Sequence, residues 1–459
     1  MIETKLQKLN VTFHGGVRSV TGSNFHIAGP TKKILVDCGM FQGCDYCADD
    51  NHKPFPYEPS EIDMLVVTHA HIDHIGRIPK LCHDGFKGKI YSTVATKELA
   101  EYMLADSVSI FEKEEKRNGV KPLFNEEDIR NALSLWEGIP YHKEIQFDNP
   151  FSFILRDAGH ILGSAMVDIS CNDKHLLFTG DLGNSPSPLI QDAEIVHDAT
   201  YLVMDSVYGD RLHEDQATRK ERLEDIIEET MNRKGALVIP AFSLERTQIL
   251  IYEINSLVES GRIPKVPVYV DSPLATHITA VYRKHMADFN EEVQKAVLRG
   301  DDVFSFPKLI FTKDSNESRA IAHVPNPKII IAGAGMSHGG RVIEHEKRYL
   351  PDAKSTVLMV GYQAAGSIGR QLQEGVKKIS FHGEEVPVRA TIRTIGGYSG
   401  HRDSKGLLDF VEGTADTLQR VFVVAGEERS GLFLVQRIRD YLGIDATLPE
   451  AGVSYELMF

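Results

Sequence analysis

Short apolar runs that end in polar turns dominate the first part of the chain. Residues 34–37, 64–68, 151–155 and 175–179 predict strands. Between them, residues 96–116 carry apolar side chains at helical spacing and predict a helix. The pattern changes after Asp210. A charged helix over about 216–233 leads to the strand 236–240, a helix near 245–259 and a strand at 266–270. A further strand follows at 328–332. Strands alternating with helices predict βαβ units and a parallel sheet. From about 388 the short β pattern returns, with strands at 390–395 and 421–424, and the chain ends on a helix at 431–441. This order predicts a β-rich domain interrupted by an α/β insertion.

Length agrees with that division, since 459 residues exceed one ordinary core. No apolar run reaches the length of a membrane span, and residues 1–10 hold no apolar signal core, so a cytoplasmic protein is expected. Five cysteines in so long a chain do not make a disulfide framework. Cys44-Asp45-Tyr46-Cys47 has metal-ligand spacing, with Cys38 and His52 nearby. No second pair completes a zinc knuckle, so the run reads as a polar loop with reduced thiols. The net charge of −14 argues against a protein that coats nucleic acid non-specifically. It leaves room for a nuclease, because bound metal ions or a local basic channel can hold a phosphate.

The candidate chemistry starts where the strand at 64–68 ends. His69-Ala70-His71-Ile72-Asp73-His74 follows at once. In extended chain, residues two apart face the same side, so His69 and His71 can face one ion. Asp73 and His74 come after a turn and can face a second. Imidazole and carboxylate suit zinc and similar transition metals. Asp157-Ala-Gly-His160-Ile-Leu-Gly-Ser164 and Phe178-Thr-Gly-Asp181-Leu-Gly183 place a third imidazole and a carboxylate at other strand ends.

His-x-His-x-Asp-His, then Gly-His, then Thr-Gly-Asp, in this order, resembles the metallo-β-lactamase superfamily. Asp37, in Val36-Asp37-Cys38-Gly39, matches that superfamily's first motif. The resemblance implies that His69, His71 and His160 bind one ion, that Asp73 and His74 bind the other, and that Asp181 bridges. It makes Asp37 the group that orients the ligands. Val203-Met204-Asp205-Ser206-Val207-Tyr208-Gly209-Asp210-Arg211 resembles motif A of the β-CASP nucleases, and Gly397-Tyr-Ser-Gly-His401-Arg-Asp403 resembles their motif B. Pro240-Ala-Phe-Ser-Leu-Glu-Arg-Thr-Gln248, Asp271-Ser-Pro-Leu-Ala275, Gly333-Ala-Gly-Met-Ser-His-Gly-Gly-Arg341 and Gly361-Tyr-Gln-Ala-Ala-Gly-Ser-Ile-Gly-Arg370 are similar to segments of the β-CASP insertion. The likeness runs from Phe13 to about Tyr441. It is strongest to bacterial and archaeal proteins similar to the eukaryotic mRNA 3′-end-cleaving subunit. The sequence shows neither an added N-terminal RNA-binding domain nor a long C-terminal extension, so a separation from the archaeal form with KH domains and from the RNase J type is expected.

The fold implied is an α/β metallo-β-lactamase αββα sandwich over residues 1–207 and 380–459, with an inserted α/β β-CASP domain at 208–379. The function implied is hydrolysis of single-stranded RNA by endonucleolytic cleavage, with 5′-to-3′ exonuclease action as a second mode. Two Zn²⁺ ions, or Mn²⁺ in their place, would hold the attacking hydroxide. His401 would donate the leaving-group proton, and Asp205 would orient His401 and favour its charged form. Asp73 and Asp37 complete the catalytic set. Ser243, Ser337 and Ser367, beside Gly-rich turns, are candidate phosphate contacts, with Arg246 as a structural support. No membrane partner is expected, and a homodimer is admitted.

The likeness departs at one ligand. RNA-cleaving members carry a metal-binding histidine at a Val-His-Gly-Glu-like strand end, where this chain reads Val423-Val424-Ala425-Gly426-Glu427. Gly400 also replaces the usual alanine of motif B. Asp73, His74 and Asp181 would remain at the second ion, since three protein ligands suffice for a catalytic zinc. Glu427 and His338 are the substitute ligands to consider. The competing readings are a small-ester hydrolase on the same fold, and a non-catalytic or weakly active RNA-binding or scaffold paralogue.

Overall fold

The structure is a computed structural model that describes residues 7–43, 47–214, 218–361, 363 and 366–459. The Cys44–Cys47 reading falls outside the described residues, as do the start of the helix expected from 216 and part of the Gly361–Arg370 segment. The chain divides into two compact units, Met1–Leu212 with His401–Phe459, and His213–Gly400.

The first unit is built on two mixed seven-stranded sheets among the described residues. One runs in the order Ser454–Met458, Lys8–Gly15, Asn24–Ala28, Lys33–Val36, Met64–Val66, Lys89–Thr93, Trp136–Ile139. The other runs Asp445–Thr447, Arg420–Val424, Tyr201–Asp205, Lys174–Phe178, Ala165–Cys171, Phe151–Asp157, Ile145–Asp148. Period-two alternation explains how both faces of the second sheet are used. Phe153, Phe178, Val203 and Phe422 turn inward and meet Val11, Phe13 and Phe25 of the first sheet in one apolar cluster. Their neighbours Leu177, Leu202, Met204, Val421 and Val423 turn outward, against Leu407, Phe410 and Val411 of helix Ser404–Glu412 and Leu434 and Val435 of helix Glu428–Arg437. Each such side chain, fully withdrawn from water, contributes about 1.5–3 kcal/mol.

Helix Val94–Asn118 flanks the first sheet through contacts with Lys89–Thr93 and Trp136–Ile139. The Thr93 hydroxyl accepts the Thr96 N–H to start this helix, and Gly119 at φ 71° ends it. The result is the αββα sandwich expected from the motifs.

The second unit holds a six-stranded sheet in the order Leu309–Phe311, Val268–Asp271, Lys328–Ala332, Ala236–Pro240, Thr356–Val360, Thr391–Ile395. Every pairing in it is parallel. Strands Lys328–Ala332, Ala236–Pro240 and Thr356–Val360, inside it, are near-continuous apolar runs, as expected for strands buried on both faces.

Two details differ from the sequence reading. Thr391–Ile395 pairs with Thr356–Val360, so the return of short strands near 388 is still the inserted sheet, and the division falls at Gly400/His401 rather than at 379/380. Nor does the chain end on a helix. Glu428–Arg437 is followed by Asp445–Thr447 and Ser454–Met458, and the last strand pairs antiparallel with Lys8–Gly15. Among the described residues, no helix is long and apolar enough to cross a membrane.

Candidate metal centre and active site

The hexapeptide lies where strand Met64–Val66 gives way to the short helix Ile72–Ile75. His71 still has extended backbone, at φ −69° and ψ 147°, and Asp73 and His74 sit on the helical turn. Strand Lys33–Val36 runs parallel beside it and delivers Asp37, whose N–H donates to the Val66 carbonyl. Gly39 is required here, because a Cβ on it would lie 1.5 Å from the Asp73 carbonyl oxygen. Gly159, at φ 63°, gives the same freedom to the His160 turn, where a Cβ would lie 2.3 Å from Ala193 N. Ser164 closes that turn, its hydroxyl accepting the N–H groups of His160 and Ile161.

Four donors converge. His71 Nδ1 lies 3.0 Å from His69 Nε2 and 3.2 Å from His160 Nε2, and Asp181 Oδ2 lies 3.5 Å from both Nε2 atoms. Ligands at tetrahedral zinc, with bonds near 2.0–2.1 Å, stand about 3.3 Å apart, so this spacing is that of a ligand shell. A second group adjoins it. His74 Nε2 lies 3.5 Å from Asp181 Oδ1 and 3.9 Å from Asp73 Oδ2. The two oxygens of Asp181 thus face two different donor sets.

The supports determine which nitrogen each ring presents. His74 Nδ1 is 2.7 Å from Asp37 Oδ2, which commits that nitrogen and leaves Nε2, buried and without a hydrogen-bond partner, aimed at Asp181. Thr68 was not singled out from sequence, yet it binds the whole corner together. Its N–H and hydroxyl donate to the two Asp37 oxygens at 2.8 Å each, and its Oγ1 lies 3.0 Å from His69 Nδ1. The one signal for it in the sequence was a hydroxyl at the mouth of the ligand-bearing strand.

Burial, with His74 close by, holds His69 well below the usual imidazole range. Burial, together with His69 and His160, does the same for His71. Neutral rings are what a metal requires. Burial also opposes a charge on His74, but the carboxylates of Asp181 and Asp37 outweigh it and hold that ring well above its ordinary value. Asp73 is pushed up to about 6 by burial, partly offset by His74. At the first donor set, the matching spacing and the neutral rings of His69 and His71 fit a divalent cation, and at the second the orphaned Nε2 of His74 is the group that would turn to one.

His401 reaches this cluster through backbone. It forms an isolated antiparallel bridge with Gly183, and the Arg402 N–H and Nε donate to the carbonyls of Leu182 and Gly183. Its Nδ1 lies 3.7 Å from Asp181 Oδ2, and its ring centroid lies 4.7 Å from that of His160. Asp181, Asp205 and His401 each bring a donor atom within 4.8 Å of the others. Asp205 is fully buried and accepts the Leu182 N–H at 3.1 Å. Burial, and behind it the charge of Asp181, push the Asp205 carboxyl well above the usual range. Tyr208, also unmarked in the sequence, places its ring 6.3 Å from that of His401.

Comparisons with known proteins agree with this geometry. Residues 28–207 match the metallo-beta-lactamase superfamily domain, 247–372 the Beta-Casp domain, and 385–449 the Zn-dependent metallo-hydrolase RNA specificity domain. The chain is 34% identical to ribonuclease TTHA0252 of Thermus thermophilus, over 92% of this chain and 94% of that protein. The chain belongs to the β-CASP ribonuclease family of metallo-β-lactamase hydrolases. It is also 30% identical to transcription termination factor FttA of Methanosarcina mazei, over 96% of this chain and 70% of that one. An RNase J-like protein of Methanocaldococcus jannaschii is 30% identical over 96% and 98%. The separation from the RNase J type expected from sequence is therefore not carried forward. A crystal structure of a protein of unknown function from Enterococcus faecalis V583 shares the fold at a TM-score of 0.59 and 14% identity, covering 98% of this chain and 100% of that one.

The family's missing ligand has a defined place. Ala425 follows strand Arg420–Val424, whose Val424 is paired with Asp205. It is buried at φ 45°, its N–H donates to the Gly16 carbonyl, and it joins the apolar cluster between the sheets. Among the described residues, neither metal-type grouping includes Glu427 or His338. In the second unit, the three serines proposed as phosphate contacts have separate fates. Ser337 is fully buried and donates to Glu346 Oε1 at 2.6 Å. Ser367, 1% exposed, accepts the Arg370 N–H as a helix cap. These two hydroxyls are buried and engaged in closing their loops. Ser243 is partly exposed and pairs with the Ser272 hydroxyl at 2.9 Å.

Proposed function

We propose that this chain hydrolyses phosphodiester bonds of single-stranded RNA in the cytoplasm, cutting internally and also from 5′ ends, with two zinc ions as its resident metals and manganese as a working substitute. The observation that carries the reading is Asp181, whose two carboxylate oxygens face two separate donor sets while His401 stands 3.7 Å away. His69, His71, His160 and Asp181 would hold the first ion, and Asp73, His74 and Asp181 the second. Bound there, divalent ions supply Lewis acidity, which activates water near neutral pH and neutralises charge on a phosphate.

The remaining roles belong to the protein. Asp37 and Thr68 fix the ring orientations of His74 and His69, so the donors are in place before substrate arrives. His401 gives its proton to the leaving oxygen. The backbone bridge to Gly183 keeps that imidazole beside Asp181. Asp205 holds the Leu182 N–H and so braces the loop that carries Asp181. Ser243 is the serine proposed to contact a phosphate.

The test offers the zinc-loaded protein a labelled single-stranded RNA beside a panel of thioesters and lactones. Internal cuts in RNA with inert esters are expected. Ester turnover without RNA cleavage would make the chain a small-ester hydrolase. Neither activity in fully metallated protein would make it a scaffold paralogue.

A further inference from the structure

Helix Glu428–Arg437 and the wider turn Ile438–Leu442 carry Arg429, Phe433, Arg437 and Tyr441 at four-residue intervals. Residues four apart lie one above another on a helix face, so these four form a single stripe. The contacts bear this out: the Arg437 guanidinium lies 5.9 Å from the Phe433 ring centroid and 5.5 Å from that of Tyr441. Three of the four face solvent, while Arg437 is half-buried with its Nη1 3.5 Å from Ser404 Oγ. Phe433 is 44% and Tyr441 70% exposed, and the Arg429 side chain is 90% exposed. Opposite positions of the same helix, Leu434, Val435 and Ile438, are buried in the core beneath the second sheet. The helix would dock as well with polar residues outside, so packing does not account for the exposed rings.

We infer that Arg429, Phe433, Arg437 and Tyr441 form a stacking platform for single-stranded RNA, separate from the metal centre. This rests on the ribonuclease reading above. Three features select RNA as the occupant. Cations alternate with aromatic rings, which suits a polymer that alternates phosphates with flat bases. The stripe carries two guanidinium groups in a chain whose net charge is −14. The stripe also lies within the segment matched by the RNA specificity domain. Asp440 and Glu428 lie on the same element, and Glu428 is engaged by Arg18 at 3.2 Å.

The location gives the platform its use. The stripe begins just after strand Arg420–Val424, which pairs with the strand ending in Asp205, and Arg429 Nε is 3.7 Å from Asp210 Oδ2. From Arg429 to Tyr441, twelve residue steps along the helix extend about 18 Å. A longer strand can cover more of the stripe than an RNA of a few nucleotides. The platform therefore makes affinity depend on RNA length, with little dependence on base identity, because every base offers a π-face.

The experiment compares zinc-loaded wild type with Phe433→Ala, Tyr441→Ala and Arg437→Ala. Fluorescence anisotropy gives the affinities for a phosphorothioate oligouridine of twenty nucleotides and for one of five. The readout is the ratio of the two affinities, and thermal melts confirm that each variant is folded. The ratio should fall about tenfold for each aromatic ring removed. An unchanged ratio, in proteins that still bind RNA, would overturn the platform. So would a wild-type dimer in light scattering that the variants lose while the ratio stays the same, since the stripe would then be a self-association surface. A wild type that binds neither RNA would remove the ribonuclease reading itself.

Discussion

Asp37→Asn separates the supports of the metal centre from its ligands. The side chain keeps its shape but loses one acceptor oxygen. Asp37 Oδ1 accepts the Thr68 N–H at 2.8 Å, and Oδ2 receives both Thr68 Oγ1 at 2.8 Å and His74 Nδ1 at 2.7 Å. An amide retains the first bond and turns an NH₂ toward His74 Nδ1. Two donors then face each other, and His74 loses the contact that aims Nε2 at Asp181. Loss of such a support costs about 10–100-fold in metal affinity, or about 1.4–2.7 kcal/mol. The loss should fall on the ion held by Asp73 and His74, because His69 and His71 do not bond Asp37. In stripped protein the same buried bonds contribute about 2 kcal/mol, so Tm should drop by about 4–8 °C. Calorimetric titration of zinc into stripped wild type and variant measures this directly. Wild-type affinity for both equivalents, or equal weakening of both, would refute this division of roles.

Further substitutions probe other parts of the account. Asp181→Ala should empty both sites and His69→Ala only the first, and elemental analysis showing full occupancy in either variant would contradict the assignments. Provided the strand end turns the new ring out of the apolar cluster and into the cleft, Ala425→His should tighten the weaker equivalent and raise RNA cleavage at low zinc; histidine tolerates the left-handed backbone found there better than most residues. Two equally tight wild-type sites, unchanged by this substitution, would show that the missing ligand is compensated. Burial pushes Glu346 up to about 7, opposed by the Ser337 hydrogen bond. A folded value raised above the unfolded one gives stability that is complete below about pH 4.5 and lost as pH rises through 7. Glu346→Gln should therefore be nearly neutral at pH 4 and stabilise by up to about 3 kcal/mol at pH 8, read from melts at both pH values.

Local pattern made much of this legible. The hexapeptide at 69–74 carries its geometry in its spacing, and the structure brings His69, His71, His160 and Asp181 together. Strand Ala236–Pro240 and helix Arg246–Glu259 fall where apolar runs and helical spacing put them. What local pattern could not carry was pairing between distant segments. Nothing near Ser454–Met458 announces that it borders Lys8–Gly15, and Thr391–Ile395 reads the same whichever sheet it joins. Thr68 was missed because its role exists only once Asp37 and the histidines converge on it. Gly-rich turns suggested exposed hydroxyls at Ser337 and Ser367, but local pattern does not show that these hydroxyls also close the turns.

The central claim is that Asp181 serves two ions at once and that both are needed to cleave RNA. Zinc added stepwise to stripped protein, with cleavage of a labelled single-stranded RNA followed at each step, tests it most directly. Cleavage should stay low through the first equivalent and rise with the second, and Asp181→Ala should remain inactive at every step. Full cleavage with one equivalent, or with none, would contradict the account.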